Sequence, residues 1–348
     1  MLDTPMPGAV KIAFSREPDF FEGLRLQGRW NQVICGSQND NLTVMGTRSI
    51  RPMYINGEPT DFGYLSSLRV SKPYRRTLAL ARGFDRLKQE HGDGRTKAYL
   101  LTIVKYNHET IALLSSGKAG LPTLMPLEKY HTYTVLINKF RGKRSHALDV
   151  TIKYGNEYTL TEILNFMNQI GNKRQFYPVY SLEDFEGAFS TTFSLRDFYV
   201  AERDGSIVGV IGKWDQSICK QNLICGYHGW LRPFRLIHNI LHTITGFNKL
   251  PGRGKSFKMF YGSFIAVKDD GPNILAELLE HMYQDHNDGT YDIFCIGFSE
   301  SDPLRHAMKN FRTLCYQSRP YLAYWDDGKE FVQQLDTNQL IYLELGTL

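Results

Sequence analysis

Cysteine is scarce in this chain and unpatterned. Five are spread over 348 residues, at Cys35, Cys219, Cys225, Cys295 and Cys315. An odd, scattered set excludes a disulfide framework and a zinc knuckle, and points to reduced thiols in a cytoplasm. No apolar run is long enough to cross a bilayer. Met1 to Val10 carries two prolines and no apolar core of a secretion signal. The expectation is a cytoplasmic protein acting on soluble material, or on a membrane only from outside, with no membrane partner. Charge of one sign is also lacking. A net charge of +5 is a mild basic excess that suits an anionic ligand but is too small to mark nucleic-acid binding.

Hydrophobic residues make up 42% of the chain and charged ones 22%, the balance of a folded globular protein. The 20 Tyr and 21 Phe supply large side chains for cores or a pocket. The length favours two domains over one.

Periodicity divides the chain into short strands and amphipathic helices in mixed order. Strands are predicted at Val10–Phe14, Gln32–Cys35, Leu42–Ile50, Asp61–Val70, Tyr99–Val104 and Thr132–Asn138. Helices are predicted near Pro18–Leu26, over Tyr74–Gln89 and at Glu109–Ser116. The order then repeats. A strand at Leu148–Lys153 precedes a helix at Thr159–Ile170, which opens with the capping-box pair Thr159 and Glu162. A hairpin turns at Asp204-Gly205, and a helix is predicted over Arg232–Thr245. After it come a strand at Met259–Val267, a helix at Asn273–Gln284, a strand at Tyr291–Phe298, a helix at Pro303–Asn310 and a closing strand at Leu340–Leu345. The reading is a mixed-sheet α/β (α+β) chain of two tandem domains of one fold, residues 1–145 and 146–348.

The stretch from Gly63 through Leu68-Arg69-Val70-Ser71-Lys72-Pro73-Tyr74-Arg75-Arg76 resembles the GNAT superfamily of N-acetyltransferases. There a long strand ends at a Val, and a basic loop opens a helix. Backbone N–H groups at such a helix start cradle a pyrophosphate, and Arg side chains add charge-assisted bonds. The resemblance implies an acyl-CoA-binding first domain and a divergent second GNAT-like domain. It implies acetyl-CoA as co-substrate, contacted by Leu68, Arg69, Val70, Arg75, Arg76, Thr77, Leu78, Ala79, Leu80 and Asn107. Leu78 and Leu80, or Ala79 and Ala81 one residue along, stand where the family places glycines, and Leu114 stands where it often has a Tyr acid. The second half's equivalent loop, Lys268 to Asn273, holds two acids and no Arg, a poor cradle for phosphate.

Acyl transfer to an amine needs a base and an N–H aimed at the thioester oxygen. Candidate bases are Asp61, Glu17 and Tyr64, with Tyr106 as a further possibility. The expected acceptor is a small-molecule or peptide primary amine, with no nucleic acid and no metal. A catalytically silent acyl-CoA-binding protein and an aminoacyl or long-chain acyl transferase are the alternatives. Three motifs read as structure. Gly252–Ser256 lacks the first Gly of a phosphate loop and reads as a turn. His238 and His242 flank Asn239 where a zincin has Glu, and read as structural histidines. Gly297–Ser301 reads as a strand end and helix cap, not a nucleophile elbow.

Overall fold

The computed structural model describes residues 8, 10–75, 77–104, 120–144 and 149–348. Arg76, Tyr106, Asn107, Leu114 and the helix expected at Glu109–Ser116 lie outside the described residues.

The first half opens with β1 (Val10–Ser15) and α1 (Phe20–Arg25), whose first turn Asp19 caps by accepting from Phe21 N. It continues with β2 (Trp30–Gln38), β3 (Asn41–Ile55), β4 (Glu58–Val70), α2 (Ala79–His91), β5 (Tyr99–Val104), β6 (Thr123–Pro126) and β7 (Tyr130–Leu136). The second half has β8 (Thr151–Tyr154), α3 (Leu160–Gly171), β9 (Arg174–Gln175), α4 (Leu182–Glu186), β10 (Phe198–Arg203), β11 (Ser206–Trp214) and β12 (Gln221–Tyr227). Then follow α5 (Leu231–Thr245), β13 (Met259–Val267), α6 (Pro272–Asp285), β14 (Ile293–Ser299), β15 (Thr313–Tyr324), α7 (Lys329–Gln333) and β16 (Leu340–Ile341).

Among the described residues a twelve-stranded mixed sheet runs β2-β3-β4-β5-β15-β7-β14-β13-β11-β10-β8, with β6 beside β15. The order is near-symmetric about its centre. β4 and β5 are parallel, as are β13 and β14, and the flanking pairs are antiparallel. The innermost strands are exchanged. First-half β7 pairs with β14, last-half β15 pairs with β5, and the two pair with each other. A second two-stranded ribbon, β1 with β12, also joins the halves.

Several expectations need correction. β15 was not anticipated, because Arg319-Pro320 breaks its alternation. The structure accommodates Pro320 at a seam. β7 pairs with β15 up to Ser318, β6 begins only at Tyr321, and so no neighbour on that side needs the missing N–H. The closing strand expected over Leu340–Leu345 is only the pair Leu340–Ile341, parallel to β9. α2 begins at Ala79 rather than Tyr74, after a short 3-10 turn at Lys72–Tyr74 built on Pro73. Pro303–Asn310 is a 3-10 helix, capped by Asp302, whose side chain accepts from Leu304 N.

The capping box of α3 is as its sequence indicates: Glu162 N donates to Thr159 Oγ1, and Thr159 N to the Glu162 carboxylate. Buried Arg48 on β3 holds the C-terminal end of α2. It makes bonds of 2.8 and 2.7 Å to Asp93 and one of 2.9 Å to the Tyr99 hydroxyl. That fork fixes α2 across the first half of the sheet.

Candidate acyl-CoA groove and central site

β4 and β5 pair only at Gly63 with Tyr99 and Tyr64 with Leu100. Gly63 is required there, since a Cβ would lie 2.1 Å from the Tyr99 ring. Beyond Tyr64 the strands part: β5 pairs with β15 along its other edge from Tyr99 to Val104, while Leu65–Val70 keep only β3. Three residues past the last paired position, Ser67 adopts φ 56°. The register steps from Thr47–Ser66 to Met45–Arg69, so Ser67 and Leu68 form a bulge opposite Gly46. A bulge re-aims the backbone and interrupts the ladder at that point. Ser67→Val, placing a β-branched side chain at positive φ, is expected to lower stability by about 1–2 kcal/mol and to weaken ligand binding, whereas Ser67→Gly preserves both. Chemical denaturation and ligand titration check this.

The second half repeats the device. β13 pairs with β14 from Met259 to Tyr261, then parts from it. Three residues past Tyr261, Phe264 has φ 57°, and the register steps from Gly212–Ser263 to Val210–Ala266. Tyr64, Ser66 and the Ser67 bulge thus correspond to Tyr261, Ser263 and the Phe264 bulge. No phosphate loop follows here. Asp269 and Asp270 stand at positive φ, and Asp270 pairs with buried Arg174, which also binds Asp302 at 2.7 Å. The bulge amides are taken as well. Phe264 N donates to Glu344 at 2.8 Å and Ile265 N to the Tyr342 hydroxyl at 3.2 Å.

In the first half the loop after β4 stays open. Ser71 N returns to Thr43 O, and Lys72 and Arg75 are exposed. Thr77 Oγ1 accepts from Ala79 N at 3.2 Å at the start of α2. Leu78, at a glycine position of the resembled pattern, points to solvent with 67% of its surface exposed. Leu80 instead packs with Leu65 and Leu68 against a cluster that includes Tyr99 and Ile103. Arg69 is half-buried and donates to Leu68 O at 2.8 Å; burial, then nearby Arg16, lowers its pKa.

Leu68 to Leu80, Arg76 apart, therefore form one continuous edge and loop, with Tyr64 at its apex. Asp61 is exposed on the paired part of β4, three residues before that apex. Glu17 is also exposed, its main chain tied to the Gln221 side chain.

Residues 342–348 thread between the two openings. Tyr130 donates to Leu343 O, Gln27 to Thr347 O, and Gln216 to Gly346 O. Lys220 Nζ donates to Gly346 O at 3.1 Å and Leu348 O at 3.2 Å. A cavity of about 20 Å³ lies at Tyr64, Gln27 and Glu344, and another of about 50 Å³ at Lys220 and Tyr261. Burial, then Arg16, pushes the Lys220 pKa down to about 7, while the side chain retains contact with the larger cavity. Burial raises the hydroxyls of Tyr64 and Tyr261.

Sequence reasoning missed Lys220, Gln27, Glu344 and Tyr261. None carries a motif, and only the repeated Tyr-x-Ser before each bulge was available as a signal. The three motifs read as structure occupy structural places. His238 Nε2 meets Asn248 O, Lys255 N closes a turn on Gly252 O, and Ser299 is buried with its hydroxyl on Ile341 O.

The parted parallel pair with its bulge, followed by a helix start, is the arrangement of the GNAT N-acyltransferase fold, and this chain carries it twice. No family model and no curated protein matches the sequence. Solved structures do match. One is a GCN5-related glucosamine N-acetyltransferase region of a fungal multi-domain GH3 β-N-acetylglucosaminidase, with TM-score 0.55 and 9% identity. The match covers 87% of this chain and 34% of that one. Another is Saccharomyces cerevisiae N-myristoyltransferase with bound myristoyl-CoA, with TM-score 0.52, 11% identity and 91% and 72% of the two chains covered. A conserved protein of unknown function from Enterococcus faecalis V583, described as a probable N-acyltransferase, matches at TM-score 0.47 and 10% identity, over 87% of this chain and 66% of that one. The chain thus spans about a third of the fungal protein and about two thirds of the Enterococcus one. At these identities the likeness establishes the fold.

Proposed function

We propose that this chain is an N-acyltransferase that moves an acyl group, acetyl in the simplest case, from acyl-CoA to a primary amine. The observation that carries this reading is the open edge of Leu65–Val70 beyond the Tyr64 apex, running into a basic loop and a helix start. The pantetheine arm pairs with that edge, and the pyrophosphate meets the start of α2 with Lys72, Arg75 and Arg76. The second half binds no acyl-CoA, since its bulge amides are bonded to Tyr342 and Glu344 and its loop carries acids. The amine enters from the central side. Lys220 lines the cavity at Tyr261 and bonds Gly346 O and Leu348 O, in the segment whose Thr347 and Leu348 also line the cavity at Tyr64. Reached through that segment, and with burial lowering its pKa to about 7, it is our candidate proton acceptor. Tyr64 lines the apex, and Asp61 and Glu17 serve at its solvent margin.

The test is thermal unfolding and calorimetric titration with acetyl-CoA and longer acyl-CoAs. Occupancy at a hundred times Kd adds about 2.7 kcal/mol, and one molecule should bind per chain. Arg75→Glu with Arg76→Glu should abolish the shift. No shift with any acyl-CoA would sink the reading.

A further inference from the structure

The helix α5 is inverted. Its polar side faces the protein, bonded to the loop that follows. Asn239 donates to Leu250 O and accepts from Leu250 N, His238 meets Asn248 O, and Arg235 donates to Leu250 O and Pro251 O. The opposite side is apolar and solvent-facing. Ile237, Ile240 and Ile244 are 57%, 77% and 75% exposed, and Trp230 just before the helix is 69% exposed. No residue of the helix is buried. Residues 230, 237, 240, 241 and 244 fall on one stripe at 3.6 residues per turn. Phe140, 66% exposed, lies against Gly246 at the helix end and extends that stripe. Because the polar side is fixed by hydrogen bonds, the helix cannot roll to hide its apolar side. Among the described residues nothing covers that side, and an exposed apolar stripe of this breadth marks an interaction surface.

Charge identifies the occupant. From Gln216 to Lys268 the sequence has no Asp or Glu and eight Lys or Arg. Arg232, Lys249, Arg253, Lys255 and Lys258 are exposed around the helix. A broad apolar stripe with a Trp at its start, set in an acid-free basic segment, has the chemistry of a helix that lies in the headgroup layer of an anionic bilayer. We propose that α5 seats this protein on an anionic membrane surface. Among the described residues no helix is long and apolar enough to cross a membrane; the proposal is of surface seating through α5. The proposal departs from the expectation of no membrane partner, which came from a search for long apolar runs and so addressed spanning and not surface seating.

The full chain is mixed with large vesicles of phosphatidylcholine alone, or with about a third phosphatidylglycerol, and floated. Binding to the anionic vesicles should exceed binding to neutral ones at least about tenfold, each engaged basic residue contributing about fivefold. It should fall steeply towards 1 M salt, where the Debye length is about 3 Å. Trp230 emission should shift to the blue on binding, and Trp230→Phe should remove the shift. Ile240→Glu with Ile244→Glu should abolish flotation with the thermal midpoint unchanged, since both side chains are exposed. Failure to bind either vesicle, or equal binding to both, overturns the proposal. So does a dimer by light scattering that the same double variant dissociates, because that would place a second copy on the stripe.

Discussion

Lys220→Met is expected to lower the acyl-transfer rate at pH 7 by about a hundredfold or more, the usual contribution of a positioned base. It should also remove a rise in kcat/KM through about pH 7. The reason is burial. Lys220 sits against the Tyr261 ring, 4.6 Å from its centroid, and near Arg16, so its ammonium form is disfavoured and its pKa falls to about 7. The same shift acts on stability. Below pH 7 the folded protein carries the full penalty of a buried ammonium. As pH rises above 7, the folded chain has released this proton while the unfolded chain still holds it, so folding gains up to about 1.4 kcal/mol per pH unit. The clean window is about pH 7 to 7.5, because above it the cysteines of the unfolded chain, with a pKa of about 8.5, begin to ionise while buried Cys219 and Cys295 do not, which opposes the climb. Denaturation midpoints should climb across that window, and Lys220→Met should flatten the climb. Equal slopes in both proteins would mean that Lys220 is solvated. A flat stability slope with activity lost would still separate a positioning role from proton transfer, through the rate profile.

Glu344→Ala should destabilise the protein by about 3–5 kcal/mol, because it strips the acceptor from four buried donors. Those donors are Phe264 N and the Tyr342 hydroxyl, both at 2.8 Å, and the Tyr180 hydroxyl and Gly346 N, both at 3.1 Å. Glu344→Gln keeps an acceptor oxygen and should cost less than half as much. Urea denaturation distinguishes the two. A cost under 0.5 kcal/mol for the alanine variant, well short of the mechanism's scale, would show that residues 342–348 are not seated between the halves. Opening this place should not create a second acyl-CoA site, because Asp269 and Asp270 remain where a phosphate would lie. Binding stoichiometry should stay at one.

Local signals located what is local. Asp204-Gly205 gave its hairpin turn, with both residues at positive φ. Thr159 with Glu162 gave the start of α3, and the alternation up to Val70 gave the end of β4. The basic loop after Val70 and the helix start that follows it are legible because charge and helix-start chemistry are written in neighbouring residues. The exposed stripe of α5 was legible as a helix but not as a surface. Periodicity fixes which residues share a face, and only the hydrogen bonds of Arg235, His238 and Asn239 decide which face turns inward.

What tertiary structure alone decided follows from sequence distance. Gln27 reaches Thr347 across 320 positions, and Tyr130 reaches Leu343 across 213. No window along the chain contains both partners. The exchange of β7 and β15 is of the same kind, since either strand could satisfy its backbone on several edges and the sheet order alone selects one. The lowered pKa of Lys220 also belongs to this class. A lone lysine between Cys219 and Gln221 has an ordinary sequence environment, and the desolvation that poises it exists only once Tyr261, Arg16 and the last residues of the chain close around it. The sequence by itself determined the two-fold pattern of strands and helices and the basic loop after β4, because these rest on contacts within a few residues. The place where the halves meet, and its chemistry, came from packing between residues hundreds of positions apart.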